Sequence, residues 1–245
     1  MDVLGDLVAR ERRSDAPAIR VGDDRAVSYR NCSATAAKAG NFLRYRGVDR
    51  GDTVAVAPTP DRQPLLTFLG AALLGAAVRF EVPPSPDDPD AFPARAIVAP
   101  TDAVAGRDAS PGTTLIAYGD PPDRPDLDYW ERAVWSENPA FPETPVAPGD
   151  PAVTTATATH SHEAVLAAAE RTVGEHSIGP DATVVLRGSL GEPGVVAAGV
   201  VAPLSVGATV VVPGPETVGD LAVVGSDAPG SVPEPAVVEA ASVLG

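Results

Sequence analysis

A glycine-rich stretch in the last third of the chain has residue types that could bind an anion. Arg187, Gly188, Ser189 and Gly191 follow one apolar run and precede another, 195–204, that predicts a helix. Backbone N–H groups at a helix N-terminus attract anions, and a neighbouring arginine adds positive charge. A tight strand-to-helix turn also requires glycines, without any ligand. Two interpretations therefore stay open at this place, a small-anion site and a structural turn.

A second candidate is a pair of histidines. His160 and His162 could ligate zinc if a third ligand joined them, but none stands at a useful spacing. Ser161 lies between them without the glycine-flanked elbow that surrounds a hydrolase nucleophile. The alternative is a helix N-terminus capped by polar side chains. We predict no metal ligand and no catalytic residue here.

Two further features favour structural roles. Asp87, Asp88 and Asp90 could be imagined as a cation site, but they stand in a proline-rich segment without a fixed scaffold. They are interpreted as solvated loop charges. Cys32 is the single cysteine and lies on the predicted buried face of a helix, so we predict that it packs in the core.

Alternating apolar strands and amphipathic helices must position these residues. Helix 29–46 is predicted with Ser28 as its N-cap and Gly47 just beyond its end, and helix 64–74 is ended by Gly75. The other predicted helices are 1–13, 129–135 with its aromatic side chains packed inward, 163–173, 195–204 and 234–244. The predicted strands are 18–21, 26–29, 53–57, 76–82, 96–99, 114–118, 182–186, 207–212 and 221–224. This order predicts an α/β fold with a mainly parallel, doubly wound sheet flanked by helices.

Two of these segments carry a resemblance to a known family. The sequence AVSYRNCSATAAKAGNFLRYRGVDRGDTVAV, followed by LLTFLGAALLGAAVRF, resembles the N-terminal part of the adenylate-forming superfamily, the acyl-CoA synthetases and their AMP-binding relatives. The resemblance implies a single AMP-binding-enzyme-like domain over 1–245. Its parts would be a first half 1–118, a proline- and aspartate-rich connection 119–150 and a second half 151–245. The matching residues build a scaffold, so they speak to fold before chemistry.

The resemblance also implies where ATP phosphates would lie. Family members carry a Ser/Thr/Gly-rich loop ending in lysine, but 153–162 contains neither glycine nor lysine. Loop amides curl around a phosphate where glycine permits it, and the lysine supplies charge. His162 stands where the family often has a histidine, and the loop histidine of the enzymes is replaced here by Gly191 or Glu192. The candidate cofactor-binding remnants are Arg187, Gly188, Ser189, Gly191 and His162.

Composition restricts the partners. The net charge is −15, and Lys38 is the only lysine, so no segment supplies the cationic cluster that nucleic acids require. This acidic surface suits concentrated salt, and a GC-rich genome is the alternative source of the composition. No apolar run is long enough to span a membrane, and no signal peptide is visible. We expect a cytoplasmic protein that binds neither nucleic acid nor membrane.

The functional expectation is a degenerate family member. We predict a non-catalytic acyl-CoA-synthetase-like protein, an accessory or small-ligand-binding module. No cofactor is expected from the residues, although ATP, AMP or CoA is possible by resemblance. The alternative is an adenylate-forming ligase whose partner chain supplies the adenine-binding loop and the C-terminal lysine domain, for which no counterpart is visible. A purely structural or interaction protein is a third possibility.

Overall fold

The computed structural model describes residues 1–22, 26–84, 91–142, 144–228 and 230–244. The strands are β1 Pro17–Val21, β2 Val27–Ser28, β3 Thr53–Val56, β4 Ala77–Arg79, β5 Ala96–Pro100, β6 Thr114–Tyr118, β7 Asp128–Tyr129, β8 Pro151–Thr154, β9 Thr159–Ser161, β10 Thr183–Arg187, β11 Thr209–Val212, β12 Leu221–Val224 and β13 Val237–Glu239. The α-helices are α1 Tyr29–Tyr45, α2 Arg62–Leu74, α3 Thr101–Val104, α4 Trp130–Ser136, α5 His162–His176, α6 Pro193–Val195 and α7 Ala202–Val206. A π-helical stretch, Val196–Val201, joins α6 to α7, and short 3-10 helices span Leu4–Val8, Arg10–Arg12 and Ala240–Ser242.

The first sheet is built around the unit β3-α2-β4. Its strand order is β7-β6-β5-β3-β4-β8-β9, and its pairs are parallel except for the β8-β9 hairpin. α2 begins after Asp61, whose carboxylate accepts the backbone N–H of Arg62. It ends at Gly75, whose φ of 72° lies in the left-handed region that favours glycine. The strand-helix-strand unit predicted at this place is confirmed.

The second sheet brings together strands from opposite ends of the chain. Its order is β13-β12-β10-β11-β1-β2, and its pairs are parallel except for the β1-β2 hairpin. Ile19 of β1 lies opposite Val210 of β11. The predicted α/β class with mainly parallel strands is confirmed. The strands form two sheets, however, and not the single sheet that the sequence predicts. The reason is that β1 pairs with β11, and α1 then leads the chain to the first sheet.

The two longest helices of the first half touch through glycines. Ser28 caps α1 as predicted, because its hydroxyl accepts the N–H of Asn31. A Cβ added to Gly70 on α2 would lie 2.7 Å from the backbone nitrogen of Gly40 on α1. The close contact between α1 and α2 therefore depends on glycine, which has no side chain, at positions 40 and 70.

Cys32 on α1 is 1% exposed, as predicted, and burial raises the pKa of its thiol to about 12.

Three local predictions were wrong. The segment 234–244 does not form a helix, because Val237–Glu239 pairs with β12 as a strand and Ala240–Ser242 adds only a 3-10 turn. The segment 1–13 forms two 3-10 helices, of which the first buries Leu4 and Leu7. Trp135 on α4 is 81% exposed, whereas Trp130 of the same helix is buried.

Among the described residues, no helix is long and apolar enough to cross a membrane.

Candidate functional site

The glycine-rich loop lies where the two sheets meet. It follows β10 in the second sheet, and the N–H of Leu190 donates to the carbonyl of Pro58, which follows β3 in the first sheet, at 2.8 Å. A Cβ added to Gly191 would lie 3.2 Å from the carbonyl oxygen of Phe80, just after β4. The carboxyl ends of parallel strands from both sheets therefore converge here. In α/β proteins this is the end of a sheet at which ligands bind.

Arg187 is held by an internal carboxylate. Its Nη2 and Nε donate to Glu234 at 2.6 and 3.0 Å, and Nη2 also donates to the carbonyl of Thr217 at 2.6 Å. The Glu234 side chain is fully buried and that of Arg187 is 17% exposed. Burial acts to raise the pKa of Glu234, but the hydrogen bonds from Arg187 and from backbone amides outweigh it and hold that pKa below its ordinary value.

The other residues of the loop pack the turn tightly. A Cβ added to Gly188 would lie 2.5 Å from the backbone nitrogen of Gly225, so the loops after β10 and β12 touch through their backbones. The Ser189 hydroxyl accepts the N–H of Gly191 at 3.1 Å. These contacts fit the structural interpretation of the glycines, and anion binding by this loop stays a prediction.

Sequence reasoning missed the role of Glu192. Both of its carboxylate oxygens accept the N–H of Ser226, at 2.9 and 3.1 Å, and the Ser226 hydroxyl donates to Oε1 at 3.1 Å. The available signal was a glutamate immediately before a proline in a glycine-rich turn. Its partner lies 34 residues further along the chain, which no local pattern indicates.

His162 belongs to a different neighbourhood. It opens α5, its side chain is fully buried, and its Nδ1 accepts the N–H of Leu4 at 3.1 Å. Its Nε2 is buried without a hydrogen-bond partner among the described residues. Burial lowers the pKa of the imidazole, and the charges of Asp150 and Asp6 oppose that shift. These contacts hold the N-terminal segment against α5 and do not join His162 to the glycine-rich loop.

The stretch expected to replace a phosphate loop forms a short hairpin. Between β8 and β9 the N–H of Thr155 donates to the carbonyl of Ala158 at 2.8 Å. The Thr155 hydroxyl also accepts the N–H groups of Thr157 and Ala158, at 3.2 and 3.0 Å. The backbone N–H groups of Thr157 and Ala158 therefore donate to the Thr155 hydroxyl within a closed four-residue turn.

No metal centre emerges from the part of the chain that the structure describes. No group of three or more His, Cys, Asp or Glu side chains there could hold a metal ion. His160 lies on β9 opposite Val153, in the hairpin. Asp87, Asp88 and Asp90 lie outside the described residues, so the cation site considered for them is not addressed.

A separate groove offers space for a small molecule. It has a volume of about 880 Å³ and lies between the β1-β2 hairpin and helices α1, α2 and α4. Apolar and aromatic side chains form much of its wall, among them Leu66, Trp130, Val134 and Trp135. Concave, mainly apolar grooves of this size are typical of small-ligand sites.

The chain is similar in fold to solved structures of two CoA ligases and of a nonribosomal peptide synthetase. The anthranilate CoA ligase AuaEII, in complex with anthranoyl-AMP, matches with a TM-score of 0.77 and 16% identity, over 91% of this chain and 49% of that chain. A benzoate CoA ligase from Burkholderia xenovorans LB400 matches with a TM-score of 0.69 and 19% identity, over 91% of this chain and 50% of that one. The nonribosomal peptide synthetase FmoA3, bound to α-methyl-L-serine-AMP, gives a TM-score of 0.71 and 20% identity, over 92% of this chain and 30% of its own. At such identities the likeness shows the fold, and the chain spans half or less of the length of these neighbours.

The family follows from the sequence itself. A family model described as AMP-binding enzyme matches residues 7–225. The chain therefore belongs to the AMP-binding enzyme family, and its scaffold corresponds to the N-terminal part of the ligases. A sequence comparison with curated proteins found no match.

Proposed function

We propose that this chain is a non-catalytic member of the AMP-binding enzyme family, a binding or accessory module built on the ligase scaffold. The observation that carries the proposal is the closed turn Thr155–Ala158, which stands where the family resemblance places an ATP phosphate loop. It contains no glycine to open the backbone and no lysine to supply charge. The strand-end loop supports the same proposal, because Arg187 and Ser226 are engaged by the chain's own Glu234 and Glu192.

Adenylate formation depends on stabilisation of a charged transition state. Attack on the α-phosphate builds negative charge that must be stabilised by fixed donors and cations. Each such donor contributes about 3 to 4 kcal/mol, which is a factor of about 10² to 10³ in rate. Several missing donors would slow the reaction by many powers of ten. A retained pocket would not compensate, because binding that is equal in ground and transition states leaves the chemical step unchanged.

The direct test is ATP–pyrophosphate exchange. The purified chain would be assayed in molar salt with magnesium, ATP and a panel of short, medium and aryl carboxylic acids, beside a benzoate CoA ligase as positive control. We expect no exchange above background. Exchange that follows the protein through a second purification step would overturn the proposal.

A binding role is tested separately by thermal shift. A ligand that binds only the folded chain raises the free energy of unfolding by RT ln(1 + [L]/Kd), and the melting temperature rises as a consequence. ATP, AMP, CoA and acyl-CoA would be compared at equal ionic strength. A shift with any of them supports a module that binds that ligand, and no shift with the whole panel favours a structural or interaction role.

The second candidate is a ligase that works with a partner chain. Its supporting observation is that the chain covers only 49% and 50% of the two CoA ligases that it resembles in fold. The exchange assay would therefore be repeated with any protein that co-purifies. Exchange that requires both chains would favour the two-chain ligase over the non-catalytic module.

A further inference from the structure

The loops after β10 and β12 are joined by a carboxylate that the chain itself supplies. Glu192 places Oε1 2.9 Å and Oε2 3.1 Å from the backbone nitrogen of Ser226. The Ser226 hydroxyl approaches Oε1 at 3.1 Å. A backbone N–H and a hydroxyl of one residue therefore converge on one carboxylate. Hydrogen bonds with an ionised acceptor are stronger than those between neutral groups.

The backbone around this carboxylate is shaped to admit it. A Cβ added to Gly225 would lie 2.3 Å from Glu192 Oε1 and 3.1 Å from its Cδ. The seat of the carboxylate is thus the space that any side chain at position 225 would fill. Glycine at this position gives the carboxylate direct access to the Ser226 donors.

The same two residues border open space. Gly225 and Ser226 line a cavity of about 430 Å³, whose other walls include Val232, Val237 and Ala240. Ser226 is an exposed residue, and both of its donors are bonded to Glu192. The position lies at the carboxyl ends of parallel strands, where α/β sheets bind ligands.

We propose that Gly225 and Ser226 form a binding site for a small monocarboxylate and that Glu192 is its internal ligand. The tethered side chain acts at a high effective concentration, so free carboxylates do not displace it in the wild-type chain. Removal of the Glu192 side chain opens the site to formate, acetate or propionate. This inference is independent of catalysis, because it concerns only the donors of Ser226 and the carboxylate that occupies them.

The test uses the full chain labelled with ¹⁵N and three proteins: wild type, Glu192→Ala and Glu170→Ala. Glu170 is an exposed glutamate on α5 and is the matched control. Sodium acetate would be titrated against sodium chloride at equal ionic strength. In Glu192→Ala we expect the amide resonances of Gly225 and Ser226 to move saturably with acetate, and the melting temperature to rise above that in chloride. In the other two proteins we expect no saturable movement.

Two outcomes would overturn the proposal. One is a Ser226 amide in Glu192→Ala that responds to acetate no more than to chloride, and the other is an equal response in all three proteins. If Glu192→Ala does not fold, Glu192→Ser also removes the carboxylate from its seat, and the same titration applies.

Discussion

Arg187 and Glu234 form an ion pair that joins the end of β10 to the segment before β13. The shortest N–O distance is 2.6 Å, and the glutamate side chain is fully buried. The arginine also donates to the carbonyl of Thr217. A residue selected from the sequence as an anion-site candidate is therefore part of the bonding that fixes the edge of the second sheet.

The first prediction concerns this pair. Arg187→Met should cost about 3 to 5 kcal/mol in the free energy of unfolding, because it leaves the Glu234 carboxylate buried without its counter-charge. Urea denaturation at neutral pH measures the change. The double variant Arg187→Met/Glu234→Leu should recover much of the loss, since replacing both partners by apolar groups removes the unpaired charge. A single variant as stable as the wild type would show that the pair does not anchor β13.

The second prediction concerns the contact between α1 and α2. Gly70→Ala places a Cβ 2.7 Å from the backbone nitrogen of Gly40 and 2.9 Å from the carbonyl oxygen of Ala36. We expect a loss of about 1 to 3 kcal/mol, because backbone atoms must move apart. Gly174→Ala on α5 is the matched control, since a Cβ there meets nothing within 4 Å. Its better helix propensity should instead add up to about 1 kcal/mol. Equal effects from the two variants in urea denaturation would refute the tight crossing.

The third prediction tests the packing of α2 against the first sheet. Leu69 is completely buried, whereas Leu73 on the same helix is half-buried. Leu69→Ala should cost about 2 to 5 kcal/mol through lost burial and a residual cavity. Leu73→Ala should cost clearly less, because fewer of its contacts are lost. A loss below about 1 kcal/mol at Leu69 would contradict the buried position of this helix face.

How far the sequence predicted the fold depends on whether a signal is local. The cap at Ser28, the left-handed Gly75 and the apolar runs of the central strands are local, and they are placed correctly. The division into two sheets is not local, because Thr209 and Pro17, which share a hydrogen bond between β11 and β1, lie 192 residues apart. Periodicity describes the faces of β1 but does not indicate which strand pairs with it.

The candidate site shows the same limit. Residue types correctly indicated a tight glycine turn before a helix, and the structure places that turn where both sheets converge. The partners of its polar groups came from distant segments, Glu234 for Arg187 and Ser226 for Glu192. A sequence shows that an arginine is available, but only the fold shows which carboxylate has engaged it.

The fourth prediction concerns salt. With a net charge of −15, the folded chain carries strong self-repulsion, which salt screens. We expect the melting temperature to climb as potassium chloride rises from low to molar concentration. Sodium sulfate and potassium chloride at equal ionic strength would separate screening from the general salting-out of apolar surface. A flat dependence on potassium chloride would remove the argument for a protein adapted to concentrated salt.

The last prediction is a loss of stability in mild acid that depends on His162. Its buried Nδ1 accepts the N–H of Leu4, so the fold requires the neutral imidazole. Burial lowers the pKa of His162 in the folded chain below its ordinary value of 6.5, and the unfolded chain therefore binds the proton first as pH falls. The contribution of His162 is complete above about pH 6.5 and decreases as pH falls from there through the lowered pKa of the folded state, by up to about 1.4 kcal/mol per pH unit.

The measurement is the free energy of unfolding in urea across this pH window. His162→Asn is the informative variant, because its side-chain oxygen can still accept the N–H of Leu4 but does not titrate. We expect it to flatten the dependence on pH, with His176→Asn as the matched control on the same helix. If His162→Asn kept the wild-type slope, the loss of stability in acid would have to arise from the carboxylates. If instead the slope disappeared while the stability at neutral pH was preserved, the contact between His162 and Leu4 would be established as the acid-sensitive attachment of the N-terminal segment.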